Sequence, residues 1–157
     1  LFPLNTMIVA MGIFYGGLAQ VIVGIMEWKK NNTFGTTAFT SYGLFWLTLV
    51  TIWLLPAVGA AAKPSATSMA FYLTMWGVFS TFLFVATFKL NRALQVVFGL
   101  VVALFFLLAL ANATGSHTIH TIAGVEGVIC GLSALYTGMA QVINEYYGRS
   151  VLPLGAK

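Results

Sequence analysis

The sequence predicts an all-α protein: a polytopic transmembrane helix bundle with five spans in this chain and a single domain over residues 1–157. Three observations predict it. Charged residues make up 6% of the 157 residues, against roughly 25% in an ordinary soluble domain. Hydrophobic residues make up 60% and aromatics 15%, more than a water-soluble fold of this size can hide, because small domains keep a large surface for their volume. The apolar residues also fall into five runs near the length of about 20 residues that a hydrocarbon layer of roughly 30 Å requires. These runs are too long for strands and lack their alternation. Lipid is the solvent.

The first run covers residues 7–26, with Asn5 placed to cap it and "EWKKNN" closing it. The second, residues 37–55, is expected to stop at Pro56, where a helix loses a donor. "VGAAAKPSATS" then reads as a loop by its Gly, Pro and Ser content. The third and fourth, residues 69–88 and 93–111, are separated only by "KLNR" and must be antiparallel neighbours. The fifth runs from about residue 121 to 147, after a loop "NATGSHTIH" holding His117 and His120. In this arrangement Lys29, Lys30, Lys89, Arg92, Arg149 and Lys157 share one side, and Lys63 alone takes the other. Cations stay in the cytoplasm, so the C-terminus is expected there and Leu1 outside. That leaves the amino end without an obvious route of insertion, and a further helix upstream would repair it.

Several functional classes are excluded or disfavoured. The cations are scattered at segment ends, without the basic patch that nucleic acid needs. Cys130 is the only cysteine, so neither an internal disulfide nor a cysteine metal site can form. No histidine lies within a span to serve "GLSA" around Ser133 as a base, and no glycine loop for phosphate is present. Neither catalysis, a cofactor nor a metal site is expected.

Polar residues inside the spans are the informative ones. Gly12, Gly16, Gln20 and Gly24 recur every fourth residue and share one ridge of the first helix; such glycines let another helix come close. Gly127, Gly131, Ala134 and Gly138, followed by Gln141, offer similar flat faces in the last. "FYGGLAQVI" and "LYTGMAQVI" echo each other in these two spans. "NNTFGTTAFTSYGLFW" sets Thr36 and Thr40 beside Thr37 and Ser41, flanked by Phe39, Tyr42, Gly43 and Trp46. A lone Thr satisfies itself on the preceding turn, but so dense a cluster fits a narrow wet path better. Glu126 is the one carboxylate inside a likely span, either a mouth residue or a group that handles protons, since a charge at that depth costs several kcal/mol.

"AMGIFYGGLAQVIVGIMEWKKNNTFGTTAFTSYGLFW", "YLTMWGVFSTFLF", "ICGLSALYTGMAQVINE" and "GRSVLPLG" together resemble the acetate uptake transporter family of succinate–acetate permeases over essentially the whole chain. The resemblance implies transport of acetate and related small carboxylates such as succinate, as a channel or proton-coupled symporter. It implies a bacterial or archaeal cytoplasmic membrane, a hexamer with one path per protomer, and six spans in the intact protein, the first absent here with its "NPAPLGL"-type signature. The family's constriction of phenylalanine, tyrosine and leucine puts its tyrosine at Tyr42 and its leucine at Val101; the phenylalanine belongs to the absent span. Val101 departs from the pattern and should widen the neck. A small residue that influences substrate size matches Ala134. Thr40, Tyr42, Gln20 and the Asn112 amide would then replace part of a carboxylate's hydration, with Glu126 the candidate for proton handling. A structural membrane oligomer, or a channel for another small solute such as ammonium or water, is the alternative.

Overall fold

Polar residues decide where the helices begin. In the computed structural model, which describes residues 4–155, five helices are long and apolar enough to cross a membrane: α1 (Thr6–Lys29), α2 (Thr33–Ala57), α3 (Ala66–Thr87), α4 (Arg92–Thr114) and α5 (His117–Tyr147). Leu1 and Lys157, used above to orient the chain, lie outside the described residues. Among the described residues there is no strand. Each helix is opened by an Asn or Ser whose side-chain oxygen accepts from the amide three residues on: Asn5 from Ile8, Asn32 from Gly35, Ser65 from Ser68, Asn91 from Leu94 and Ser116 from Ile119. A helix start leaves four amides without intrahelical partners, and such a cap satisfies one of them.

Several boundaries differ from the expectation: α2 begins at Thr33 rather than residue 37, α3 at Ala66 rather than 69, and α4 runs to Thr114 rather than 111. The last helix begins at His117, so His117 and His120 ride on its first turn. Ser116 caps it there, and Gly115 ends α4 one residue earlier in the left-handed region at φ 65°. Likewise α2 carries Pro56 within its final turn. The proline removes one donor, yet the Val58 and Ala60 amides still reach the carbonyls of Leu54 and Leu55.

The described residues divide into two compact units, 4–64 and 65–155. In the first, α1 and α2 are drawn together where glycine leaves room. A Cβ on Gly24 would collide with Thr40, its Oγ1 and its backbone alike; one on Gly43 would come within 2.8 Å of the Gly17 carbonyl oxygen. Gly12 and Gly16 sit against Val50 and the Trp46 indole in the same way. Within α1, Gly12–Ala19 forms a π-helical segment between two α-helical stretches. The echo of this motif at residues 135–143 is plain α-helix, held by Thr137 donating to the Ser133 carbonyl.

In the second unit α3 packs on α4 and α4 on α5. The α3–α4 turn is tight: the Leu90 backbone amide donates to the Thr87 carbonyl at 2.7 Å, and the Gln95 side-chain Nε2 donates to the same carbonyl at 3.3 Å. Trp76 stacks on Phe105 with ring centres 6.5 Å apart, and Gly77 and Gly99 sit against the rings of Phe106 and Phe84. At 31 residues α5 is eight longer than the 23-residue α4, an excess of roughly 12 Å at 1.5 Å per residue. After Gly148 (φ 61°) the chain turns back beside that excess. Asn144 holds it by accepting from the Val151 and Leu152 amides and donating to the Leu152 carbonyl.

Replacing Gly24 by Ala puts a methyl where Thr40 stands, and the backbone atoms involved cannot swing aside. The variant is expected to lose about 1–3 kcal/mol of stability, read as an earlier thermal unfolding midpoint in detergent. Gly138→Ala, which meets nothing within 4 Å, is the control.

Candidate functional site

Nine hydroxyls in the spans are self-satisfied. Thr48 and Thr51 donate to carbonyls of the preceding turn in α2, Thr74, Thr81 and Thr87 in α3, Thr114 in α4, and Thr121, Ser133 and Thr137 in α5. This is the usual way a membrane helix accommodates Ser and Thr. Ser133, whose neighbours superficially suggest a nucleophile, is thereby bonded to the Cys130 carbonyl at 2.7 Å.

The cluster at the start of α2 behaves differently. Among the described residues Thr36, Thr37, Thr40 and Ser41 make no side-chain hydrogen bond. Thr36 Oγ1 is fully enclosed and still has no partner. A buried hydroxyl left unmet costs about 1–3 kcal/mol, so the enclosed Thr36 needs a reason; Thr37, Thr40 and Ser41 are half-buried. Tyr42, one position beyond Ser41, is half-buried and already engaged by a protein neighbour.

Elsewhere in the first unit, with no residue of this cluster in its walls, is a groove of about 450 Å³ bordered by Met7, Met11, Tyr15, Gly12, Gly16, Gln20 and Trp46 among others. It is open rather than enclosed, since Met7, Met11 and Tyr15 are each more than half exposed. Its walls are apolar except for the Tyr15 hydroxyl and the Gln20 amide, and Gln20 makes no hydrogen bond among the described residues. Gly12 and Gly16 belong to the π segment, a rare geometry that is frequent at functional sites. The spacing of Gly12, Gly16 and Gln20 pointed to this ridge. The π segment and Tyr15 as a wall were not foreseen, since hydrophobic periodicity does not separate π from α winding.

In the second unit Val101 is half-buried on α4, and Asn112, near the end of that helix, donates to the Leu108 carbonyl at 2.8 Å. One of its two amide hydrogens is therefore already committed. Ala134 and Gln141 are exposed on α5, and neither Gly131 nor Gly138 on the same flank meets another atom within 4 Å of a built Cβ. Glu126 sits apart from that flank. At 100° per residue it falls on the face of α5 that carries the buried Ala123, Cys130 and Thr137. Both carboxyl oxygens are enclosed and neither has a partner. No group of three or more His, Cys, Asp or Glu side chains gathers for a metal among the described residues.

Residues 4–154 match the model of the GPR1/FUN34/yaaH family. The succinate-acetate/proton symporter SatP of Escherichia coli is 53% identical, covering 98% of this chain and 82% of that protein. An uncharacterized protein of Methanothermobacter thermautotrophicus is 49% identical over 98% of this chain and 78% of its own length. Among solved structures, that of the bacterial acetate channel SatP superposes with a TM-score of 0.96 at 53% identity, covering 98% of this chain and 85% of that one.

Because Thr36 Oγ1 is enclosed and unbonded, Thr36→Val is expected to leave stability unchanged or raise it by about 1 kcal/mol. Thr137→Val, which removes a made bond, is expected to lower it. Thermal unfolding midpoints of the two variants, measured side by side, check the contrast.

Proposed function

The chain belongs to the GPR1/FUN34/yaaH family, and from that premise we propose that it carries acetate and related small carboxylates, succinate among them, across a membrane. The observation that carries the reading is the set of unbonded hydroxyls at Thr37, Thr40 and Ser41, beside the enclosed Thr36. Hydroxyls that bond neither to their own helix nor to a neighbour remain available as donors to a passing carboxylate. Lys and Arg stand only at helix ends or in connections among the described residues, so no fixed cation holds the anion. Weak, replaceable donors suit passage, because a conducting site must also let go.

Thr40 and Gln20 are assigned to the path as donors, with Asn112 contributing its remaining amide hydrogen. Tyr42 and Val101 are assigned to its constriction, and Ala134 to the choice of substrate size. A carboxylate entering such a neck leaves part of its water behind, and the neck then selects by size and by the cost of dehydration. The assembly is proposed to be a hexamer with one path per protomer, in a bacterial or archaeal cytoplasmic membrane with the C-terminus inside.

Proton handling is assigned to Glu126. It is the carboxylate that the spans place furthest from both helix ends, and its oxygens have no other occupation. Acetate movement in liposomes with a clamped pH gradient tests the assignment. Glu126→Gln should abolish accompanying proton movement while acetate still equilibrates, and proton movement surviving in that variant overturns it.

Tyr42→Ala separates transport from a purely structural membrane oligomer. We expect acetate flux to change by about tenfold, the equivalent of 1.4 kcal/mol in the barrier, with the oligomer intact on size exclusion. Flux equal to that of the parent chain would remove Tyr42 from the path. Val101→Leu should narrow the neck and lower succinate flux more than acetate flux, measured in the same vesicles.

A further inference from the structure

The start of α4 is capped from far along the chain. The Arg92 amide donates to the Gly155 carbonyl at 2.9 Å and the Ala93 amide to the Leu154 carbonyl at 3.0 Å. Tyr136 Oη donates to the Pro153 carbonyl at 2.8 Å. With the Asn144 bonds, these contacts hold residues 150–155 as a strap from the end of α5 to the first turn of α4. Gly155, at φ 66°, lies so close to the Arg92 stem that a Cβ there would come within 2.8 Å of it.

Beside the strap is an open cavity of about 360 Å³, lined by Arg92, Ala93, Val96, Tyr136, Pro153 and Leu154 among others. Three features define what it can hold. The walls are mainly hydrocarbon, and the hydroxyls present, on Ser133, Tyr136 and Thr137, already donate to the carbonyls of Cys130, Pro153 and Ser133. Only the Arg92 guanidinium is left to donate to an anion. A small free carboxylate would find one donor and an apolar floor, whereas an anion with a hydrocarbon body would match both.

Depth is the second feature. Residues 93–111 of α4 are uninterrupted by charge and rise roughly 28 Å at 1.5 Å per residue, close to the hydrocarbon thickness. Arg92 therefore stands at headgroup level. The third is charge. Lys89, Arg92 and Arg149 gather at this end of the unit, against the single carboxylate Glu145, and none is in an ion pair among the described residues.

We propose that the strap cavity binds an anionic phospholipid of the leaflet that meets this end, its phosphate on Arg92 and its glycerol and upper acyl carbons against Val96 and Leu154. Basic recesses between membrane helices are suited to such headgroups. The proposal is independent of the solute path.

Native mass spectrometry of the full chain, released from nanodiscs of mixed phosphatidylglycerol and phosphatidylcholine, tests it. Phosphatidylglycerol should be retained in preference to phosphatidylcholine. Arg92→Gln should weaken that retention about fivefold, the effect of one basic residue near a membrane surface, while Lys63→Gln should leave it unchanged. Val96→Trp, at an exposed position, fills the cavity without touching the cations and should also lose the lipid. Retention of both lipids alike, or no effect of either cavity variant, overturns the proposal. So does displacement of the lipid by glycerol phosphate or acetate alone, or a crosslink from Val96→Cys showing that a second copy covers the cavity.

Discussion

Inside hydrocarbon there is no water to meet a hydrogen-bonding group that the protein leaves unmet, and the rest of this structure follows from that constraint. The backbone answers it by winding into helices. Each helix start answers it with an Asn or Ser cap. Nine span hydroxyls answer it by donating to the turn behind them, as Thr81 and Thr137 do. Against that background the start of α2 is an exception with a location. Thr36, Thr37, Thr40 and Ser41 keep their hydroxyls unbonded, and one of them is enclosed. A solute that brings its own lone pairs would supply what the protein withholds.

The first unit pairs this polarity with close contact. Burial of apolar surface gives membrane helices little reason to associate, since lipid tails are as apolar as leucine, so van der Waals contact must hold them. Gly24 and Gly43 let α1 and α2 approach until backbone meets backbone or Thr40. That contact fixes where the hydroxyls of α2 point. The π winding of Gly12–Ala19 shifts the register of α1 beside a groove bordered by Gly16, Gln20 and Trp46. Packing and polarity are one arrangement here, because the residue that a Cβ on Gly24 would strike is itself one of the unbonded threonines.

In the second unit a mismatch of length does comparable work. Because α5 outruns α4 by roughly two turns, its last residues would stand alone without the strap. Asn144 and Tyr136 bring residues 150–155 back, and the carbonyls of Leu154 and Gly155 meet two of the amides that open α4. The charged ends of the helices thus acquire a recess with a hydrocarbon floor. Glu126 is on the opposite side of the same logic. It lies on the packed face of α5, where neither Ala123 nor Cys130 provides a charge to answer it.

The sequence by itself determined the solvent, the number of spans in this chain and most of their limits, because these depend on composition and run length. It also carried the family resemblance, and it singled out Gln20, Thr40, Tyr42 and Glu126 as polar groups at membrane depth. It placed His117 and His120 in a loop, because a helix start set by the Ser116 cap has no hydrophobic signature. Which hydroxyls bond to their own helix could not be read from residue type, since Thr40 and Thr48 are the same side chain on the same helix. Tertiary structure decided that, along with the π winding of α1, the packed position of Glu126 and the strap. The strap joins segments far apart in the chain, and the packed face of α5 is defined only when helices close against one another.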